Sequence, residues 1–353
     1  MKIAKRLLIA FFLLIALFLG AAIAIPYFFK DELVTMAREE ANKAVNAEVD
    51  FSDVSLSLLR SFPDFSLRID SFSVIGKDAF EGVPLAKGAY AALTLDLMSV
   101  IRSSEPVALK SIHLEQPELN IIVLKNGTAN YDITLPSDAT GDTPAATGDY
   151  SNLVIQLASY SIANGSLLYD DHSLDTYLEI KGLNHSGSGN FTIDVYDLDT
   201  HTDIAELTVA QSGITYLNSA KAELDAIFNI DSPNSKYTLK DNQLTINALQ
   251  LNADGFVQLT GDDINMELAF NSPQNEFRHL LSLIPNAYIE GYEDVDVTGK
   301  FTLEGSVSGA YNGTTETYPA FAISTSVSDG RVKYPDPPLS IDNINTRANV
   351  KSP

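Results

Sequence analysis

Three features of this 353-residue sequence predict a mainly β protein with an N-terminal transmembrane helix and few other helices. An uncharged run fills residues 7–29, the apolar residues beyond it recur with a period of two, and Asn-Gly or Asp-Gly pairs punctuate the chain. Its length suits two or three domains, or one elongated repetitive one. With 45% hydrophobic residues it can bury a core, which excludes wholesale disorder.

Lys2, Lys5 and Arg6 precede the run from Leu7 to Phe29. As a helix that run spans about 34 Å at roughly 1.5 Å per residue, enough to cross a hydrocarbon core. The basic flank assigns residues 1–30 to a cytoplasmic stub and membrane helix, with Tyr27, Phe28 and Phe29 at the far interface. A cleaved signal peptide is the competing reading, with Leu7–Leu19 as its apolar core and Ala22-Ile23-Ala24 as the cleavage site. The apolar run continues past that site, which favours a retained anchor. Either way, the body after Lys30 is exported.

Removing the four basic residues of the stub from the total of 23 leaves 19 basic against 46 acidic, a net of −27 for the body. Such a surface repels phosphate backbones, so no nucleic-acid partner is expected, and it disfavours docking on anionic lipid headgroups. The absence of Cys removes disulfides, thiolate metal sites and Cys nucleophiles.

Residues 31–47 form an amphipathic juxtamembrane helix, with Leu33, Met36, Ala37, Ala41, Ala44 and Val45 on one face. A β-rich module follows over 48–136. Phe65, Leu67 and Ile69 alternate with polar residues, and Leu119–Leu124 is a short apolar run. A short helix is expected near Met98–Ser103. Residues 137–150 are small and polar and read as a linker.

Residues 151–353 repeat the alternation at Phe191/Ile193/Val195, at Leu224/Ala226/Phe228/Ile230 and at Ile264/Met266/Leu268/Phe270. Val295–Val307 is the clearest case, one long strand or two joined at Gly299, and it places Phe301 and Leu303 on its apolar face. A helix over Gln274–Leu283 interrupts the series. Asn-Gly at 126, 164 and 312 and Asp-Gly at 254 and 329 read as strand-ending turns. Asn164-Gly165 through Asp171 matches Asp329-Gly330 through Asp336 in parity, an internal repeat. Its second copy opens close to position 353, which points to a fragment of a longer protein.

No nucleophile elbow, P-loop, dinucleotide fingerprint or zinc-protease motif occurs, so no enzyme and no cofactor is expected. His185-Ser186-Gly187-Ser188-Gly189 reads as a Gly/Ser loop. Asp197, Asp199, His201 and Asp203 share a strand face and could hold Ca²⁺, but they lack the glycine and terminal glutamate of a calcium loop, so no metal is assigned. Asp170, Asp171 and Asp175 are a carboxylate cluster with no cleft to place them in.

On the order of 20 strands with one apolar face must cover that face, since each large side chain left in water forfeits roughly 1.5–3 kcal/mol. A second strand layer, giving sandwiches or barrels, or an apolar ligand in a trough would do so equally well.

Val49-Asp-Phe51-Ser-Asp53 running on to Ser61-Phe62-Pro63 and Phe65-Ser-Leu67-Arg-Ile69-Asp70 resembles the N-terminal region of the AsmA family of Gram-negative envelope proteins. So do Phe80-Glu-Gly82 with Leu85, Leu93–Leu97, and Ile112-His-Leu114-Glu-Gln-Pro117-Glu-Leu119 with Asn126-Gly127-Thr-Ala-Asn130-Tyr131-Asp132. In the last, Asn126 stands for the usual Asp and Tyr131 for the usual Trp. The resemblance covers 1–135 and continues more loosely through 280–311 and 329–340.

It implies an elongated, curved antiparallel sheet forming a groove, related to TamB-like and chorein-type bridge proteins. It also implies an inner-membrane anchor, a periplasmic body and a role in conveying membrane phospholipids to the outer membrane. Phe65, Leu67, Ile69, Phe191, Ile193, Val195, Leu224, Phe228, Ile264, Met266, Leu268, Phe301 and Leu303 are then the lipid-facing candidates. A membrane-tethered β-sandwich scaffold that works through contacts with outer-membrane or envelope assembly proteins is the alternative.

Overall fold

The computed structural model describes residues 30–57, 61, 64–101, 107–135, 153–273, 276–283, 295–334 and 339–352. The expected anchor at 7–29 and linker at 137–150 lie outside them. Among the described residues no helix is long and apolar enough to cross a membrane. The chain divides into two compact units, one of residues 1–117 with 130–155, the other of 118–129 with 156–353.

The first unit opens with helix α1 (Lys30–Ala44) and strands β1 (Ala47–Asp50) and β2 (Asp53–Ser57). Strands β3 (Phe65–Gly76), β4 (Pro84–Leu95) and β5 (Val107–Glu115) follow, with the short helix α2 (Leu97–Ile101) before β5. The ladder is antiparallel in the order β1-β3-β4-β5, with β2 also on β3. Helix α1 corrects the expected amphipathic face. Met36 is 58% exposed and Ala37 and Ala44 point outward, while Arg38, Ala41, Asn42 and Val45 face inward. Hydrogen bonding decides this. Asn42 Nδ2 donates to the Val49 carbonyl at 2.6 Å and its Oδ1 accepts from Val49 N at 3.0 Å, as another strand would. Arg38 Nη2 donates to the Phe51 carbonyl at 2.7 Å and Arg38 Nε pairs with Asp50.

The second unit contains β6 (Glu118–Val123), β7 (Leu153–Asp171), β8 (Thr176–Gly189), β9 (Val195–Gln211) and β10 (Ile214–Asp231). It continues through β11 (Lys236–Ile246), β12 (Leu249–Thr260) and β13 (Asp263–Asn271) to helix α3 (Phe277–Leu281). Strands β14 (Asp296–Tyr311), β15 (Ala320–Lys333) and β16 (Ser340–Lys351) complete it. From β7 to β16 each strand pairs antiparallel with the next, and β6 runs parallel to β7. All of the expected Val295–Val307 stretch but its first residue falls in one strand, β14, with a register shift at Gly299.

Three of the five expected turns are corrected. Asn126-Gly127 and Asn312-Gly313 do turn the chain, but Asn164-Gly165, Asp254-Gly255 and Asp329-Gly330 lie inside strands. Asn164 and Asp329 have positive φ (53° and 52°) and sit at register shifts, as β-bulges do. The bulge turns the N–H of that residue out of the ladder, so another acceptor is needed. Asn184 Oδ1 takes the Asn164 N–H at 3.0 Å, and Asn345 Oδ1 takes that of Asp329 at 3.1 Å. The internal repeat is therefore a repeated bulge with a repeated asparagine on the next strand.

Ser71, Gly182, Ser219 and Asn343 adopt the same left-handed backbone. Asn164, Gly182, Asp329 and Asn343 are residue types that tolerate it at small cost. At those in the second unit, the inside–outside alternation slips by one while the apolar face stays continuous. Ile162 is followed by Gly165, Ile180 by Leu183, Leu217 by Ala220, and Val327 by Gly330.

A candidate ligand-binding face

The register places side chains across the second unit's sheet, because directly opposed residues of an antiparallel pair share a face. One row runs Leu198–Phe228–Leu239–Gly255–Leu268–Val307–Phe321, and another runs Tyr196–Ile230–Tyr237–Val257–Met266–Gly309. Followed from β8 to β16, this face carries no Asp, Glu, Lys or Arg. His185 is its one group able to take a positive charge near neutral pH.

Five of the thirteen candidates gather on the open part of this face: Leu224, Phe228, Ile264, Met266 and Leu268, each partly exposed. Phe301 and Leu303 share the face but are covered. Phe301 is 1% exposed and forms a core with Leu249 and Val327, on which Phe277, Leu280 and Leu283 pack from above together with Leu303. Phe65, Leu67 and Ile69 belong to the first unit, where they share a face with Leu93, Leu95, Ile112 and Leu114.

The remaining three are corrections. Phe191 and Ile193 lie in the turn before β9, and Val195 points to the opposite, acidic face across from Asp231. Both Ile193 and Val195 are 49% exposed. Phe191 spends its ring on Tyr160 and Tyr196, at centroid separations of 6.3 and 5.0 Å. The alternation that suggested a strand there is a turn that happens to carry apolar residues at odd positions.

Leu198, Leu239, Leu251, Val257, Phe321, Ile323 and Val350 join the face although their short runs gave no separate signal. At the β13–β16 end, Phe270, Gly305, Ile323 and Val350 form one row of this face. The open depression of about 560 Å³ there is lined by that row together with opposite-face residues, Asp254, Glu304 and Lys351 among them. The Phe270 ring lies over Gly305, as Tyr160 lies over Gly187 and Phe72 over Gly88. An aromatic ring thus covers the bare backbone of a cross-strand glycine in each case.

Several polar groups on the face are tied internally, although Thr325 Oγ1, across from Leu303, is buried with no hydrogen-bond partner. Thr200 Oγ1 donates to the Ala226 carbonyl at 2.9 Å, and Asn242 pairs through both amide atoms with the Ala253 backbone. His185 Nδ1 meets Thr202 Oγ1 at 2.8 Å and its Nε2 meets Tyr160 Oη at 3.1 Å. Burial pushes the His185 pKa down and that of Tyr160 up.

The opposite face carries the acids. His201 Nδ1 and Nε2 meet Asp225 at 2.6 Å and Asp203 at 2.8 Å, and these contacts hold its pKa above the usual value. Ser186 sits directly across from His201, yet both ring nitrogens are already engaged, so no serine–histidine pair forms. Asp197 is held by Lys240 and Asn229. Asp171 accepts from Ser173 Oγ, Ser173 N, Leu174 N and Tyr169 Oη, which lowers its pKa to about 2 and closes the β7–β8 turn. The expected carboxylate cluster is thus turn chemistry.

No protein-family model matches the chain, and no curated protein matches it.

Proposed function

We propose that the uncharged face is a ligand surface for the acyl chains of phospholipids. On this reading the chain is an AsmA-like envelope protein, anchored in the inner membrane by residues 7–29, that conveys lipid toward the outer membrane. No catalysis is assigned to it. One observation carries the proposal. Nine successive strands, β8–β16, turn a charge-free face outward, and its aliphatic and aromatic side chains are half-exposed along most of its length. Eight inter-strand steps of about 4.8 Å give a strip of roughly 38 Å. A protein normally buries such a surface, and among the described residues only α3 and the segment to Leu283 cover part of it. An acyl chain suits the remainder, since each buried CH₂ contributes about 0.8 kcal/mol and needs no directional partner.

A sandwich scaffold needs two closed cores. This unit's face closes only under α3, around Leu249, Phe301 and Val327, while Leu198, Phe228, Leu239, Leu268 and Val307 stay partly exposed.

The full chain, purified in mild detergent and analysed by native mass spectrometry, is expected to retain phospholipid. Leu268→Asp with Val307→Asp is expected to abolish that retention. Lipid-free wild-type protein, or undiminished lipid in the double variant, overturns the reading.

A further inference from the structure

At its β7–β9 end the strip carries a polar trio, Tyr160, His185 and Thr202. Its hydrogen inventory leads to a definite conclusion. A neutral imidazole has one N–H and one bare nitrogen. Both ring nitrogens contact a hydroxyl. The N–H donates to one hydroxyl oxygen or to the neighbouring His201 backbone, and the bare nitrogen accepts from a hydroxyl. Whichever tautomer is present, one hydroxyl hydrogen is left with no acceptor inside the trio. In a half-exposed site that hydrogen goes to water or to a ligand. Flanking rings limit its surroundings, with Tyr160 packed on His185 at 5.3 Å and on Phe191 at 6.3 Å.

We propose that this trio is the polar subsite of the strip and takes the uncharged carbonyl oxygen of an ester-linked acyl lipid, with the hydrocarbon running from there toward β16. The inference rests on the acyl-chain reading above and adds which atom of the ligand is recognised and where. An uncharged acceptor fits better than a phosphate. Burial keeps the imidazole neutral, the face from β8 to β16 offers no Lys or Arg, and a desolvated anion without a cationic partner is costly. Thr200 and Asn242, the other polar groups nearby, already spend their donors on backbone carbonyls.

The test compares an ester-linked phosphatidylcholine with its ether-linked analogue of equal chain length, which has the same phosphate but no carbonyl. Binding to the full chain is measured by displacement of a fluorescent acyl probe. Wild-type protein is expected to prefer the ester lipid about fivefold, the worth of one neutral hydrogen bond. Tyr160→Phe, His185→Leu and Thr202→Val together replace all three partners with apolar groups of similar shape, a change that leaves no partner stranded. That triple variant is expected to bind both lipids equally while retaining the hydrocarbon probe. A ¹³C-labelled ester carbonyl should also show a lowered stretching frequency when bound to wild type, a readout that does not depend on the variant folding. Equal binding of the two lipids by wild type, an unshifted carbonyl, or a preference that survives in the triple variant overturns the subsite. Failure of wild type to bind either lipid or the probe instead sinks the acyl-chain reading itself.

Discussion

The two ends of the second unit's apolar face are made of the same residue types in the same alternation, and they differ in what lies on top. Under α3, Leu249 and Phe301 are each 1% exposed and Val327 7%. Toward the β13–β16 end, Phe321, Ile323 and Val350 are 39, 37 and 55% exposed. One short insertion between β13 and β14 turns a stretch of sheet into a core, and without it the same pattern stays open. Sheet alternation therefore specifies that a face is apolar, and the neighbouring segment specifies whether that face is stability or surface.

The largest expected effect separates the two ends directly. Phe301→Ala should cost about 3–5 kcal/mol of stability, because it empties a closed site. Phe321→Ala should cost under about 1 kcal/mol, because its ring is already partly hydrated. Urea denaturation of both variants measures the contrast, and equal losses would erase the distinction.

Ligand binding should sort the ends in the opposite sense. Ile323→Asp is expected to lower lipid retention severalfold with little change in melting temperature. Leu280→Ala, under the cover of α3, is expected to lower the melting temperature while leaving retention largely intact. A thermal melt and a lipid assay on the same two samples decide it.

A smaller effect comes from the turn at one end of β7. The Asp171 carboxylate is stabilised in the fold, so its contribution is fully present above its ordinary value near 3.8 and is lost as pH falls through about 2. Asp171→Asn should therefore flatten the acid limb of a stability profile taken between pH 4 and pH 2. An unchanged limb would mean that other carboxylates dominate it.

The smallest effects set the two faces against each other through their histidines. His185 has a depressed pKa, so its contribution is present above about 6.5 and is lost as pH falls through the lower folded value. His201 has a raised pKa, so its contribution is present below about 6.5 and is lost as pH rises through the higher folded value. His185→Leu and His201→Gln should remove pH slopes of opposite sign near neutrality. The His201 slope should shrink in salt, because its carboxylate partners are exposed.

Much of the strand inventory was legible in the sequence. Leu224–Ile230, Ile264–Phe270 and Phe65–Ile69 fall on strands as the period of two requires. What misled was local chemistry that serves two purposes. Asn-Gly and Asp-Gly favour left-handed backbone, and a hairpin turn and a bulge both need it, so Asn164-Gly165 and Asp329-Gly330 read as turns. The Phe191–Val195 run alternates for only three apolar positions, too few to distinguish a strand from a turn packed on aromatic neighbours. Arg38 and Asn42 look like a solvent-facing helix surface until β1 and the adjoining Phe51 supply the backbone groups they bind.

By itself, the sequence determined that this chain folds as strands with one apolar face, because period-two alternation is a local property of each segment. Tertiary structure alone decided which segments share that face. Pairing register and the slip at each bulge set the rows, and neither can be read without knowing the partner strand. It also decided which stretch of the face is sealed, because sealing depends on a helix docking from elsewhere in the chain. The trio of Tyr160, His185 and Thr202 belongs to the same class. Its members lie 25 and 17 residues apart, and the ladder alone makes them neighbours.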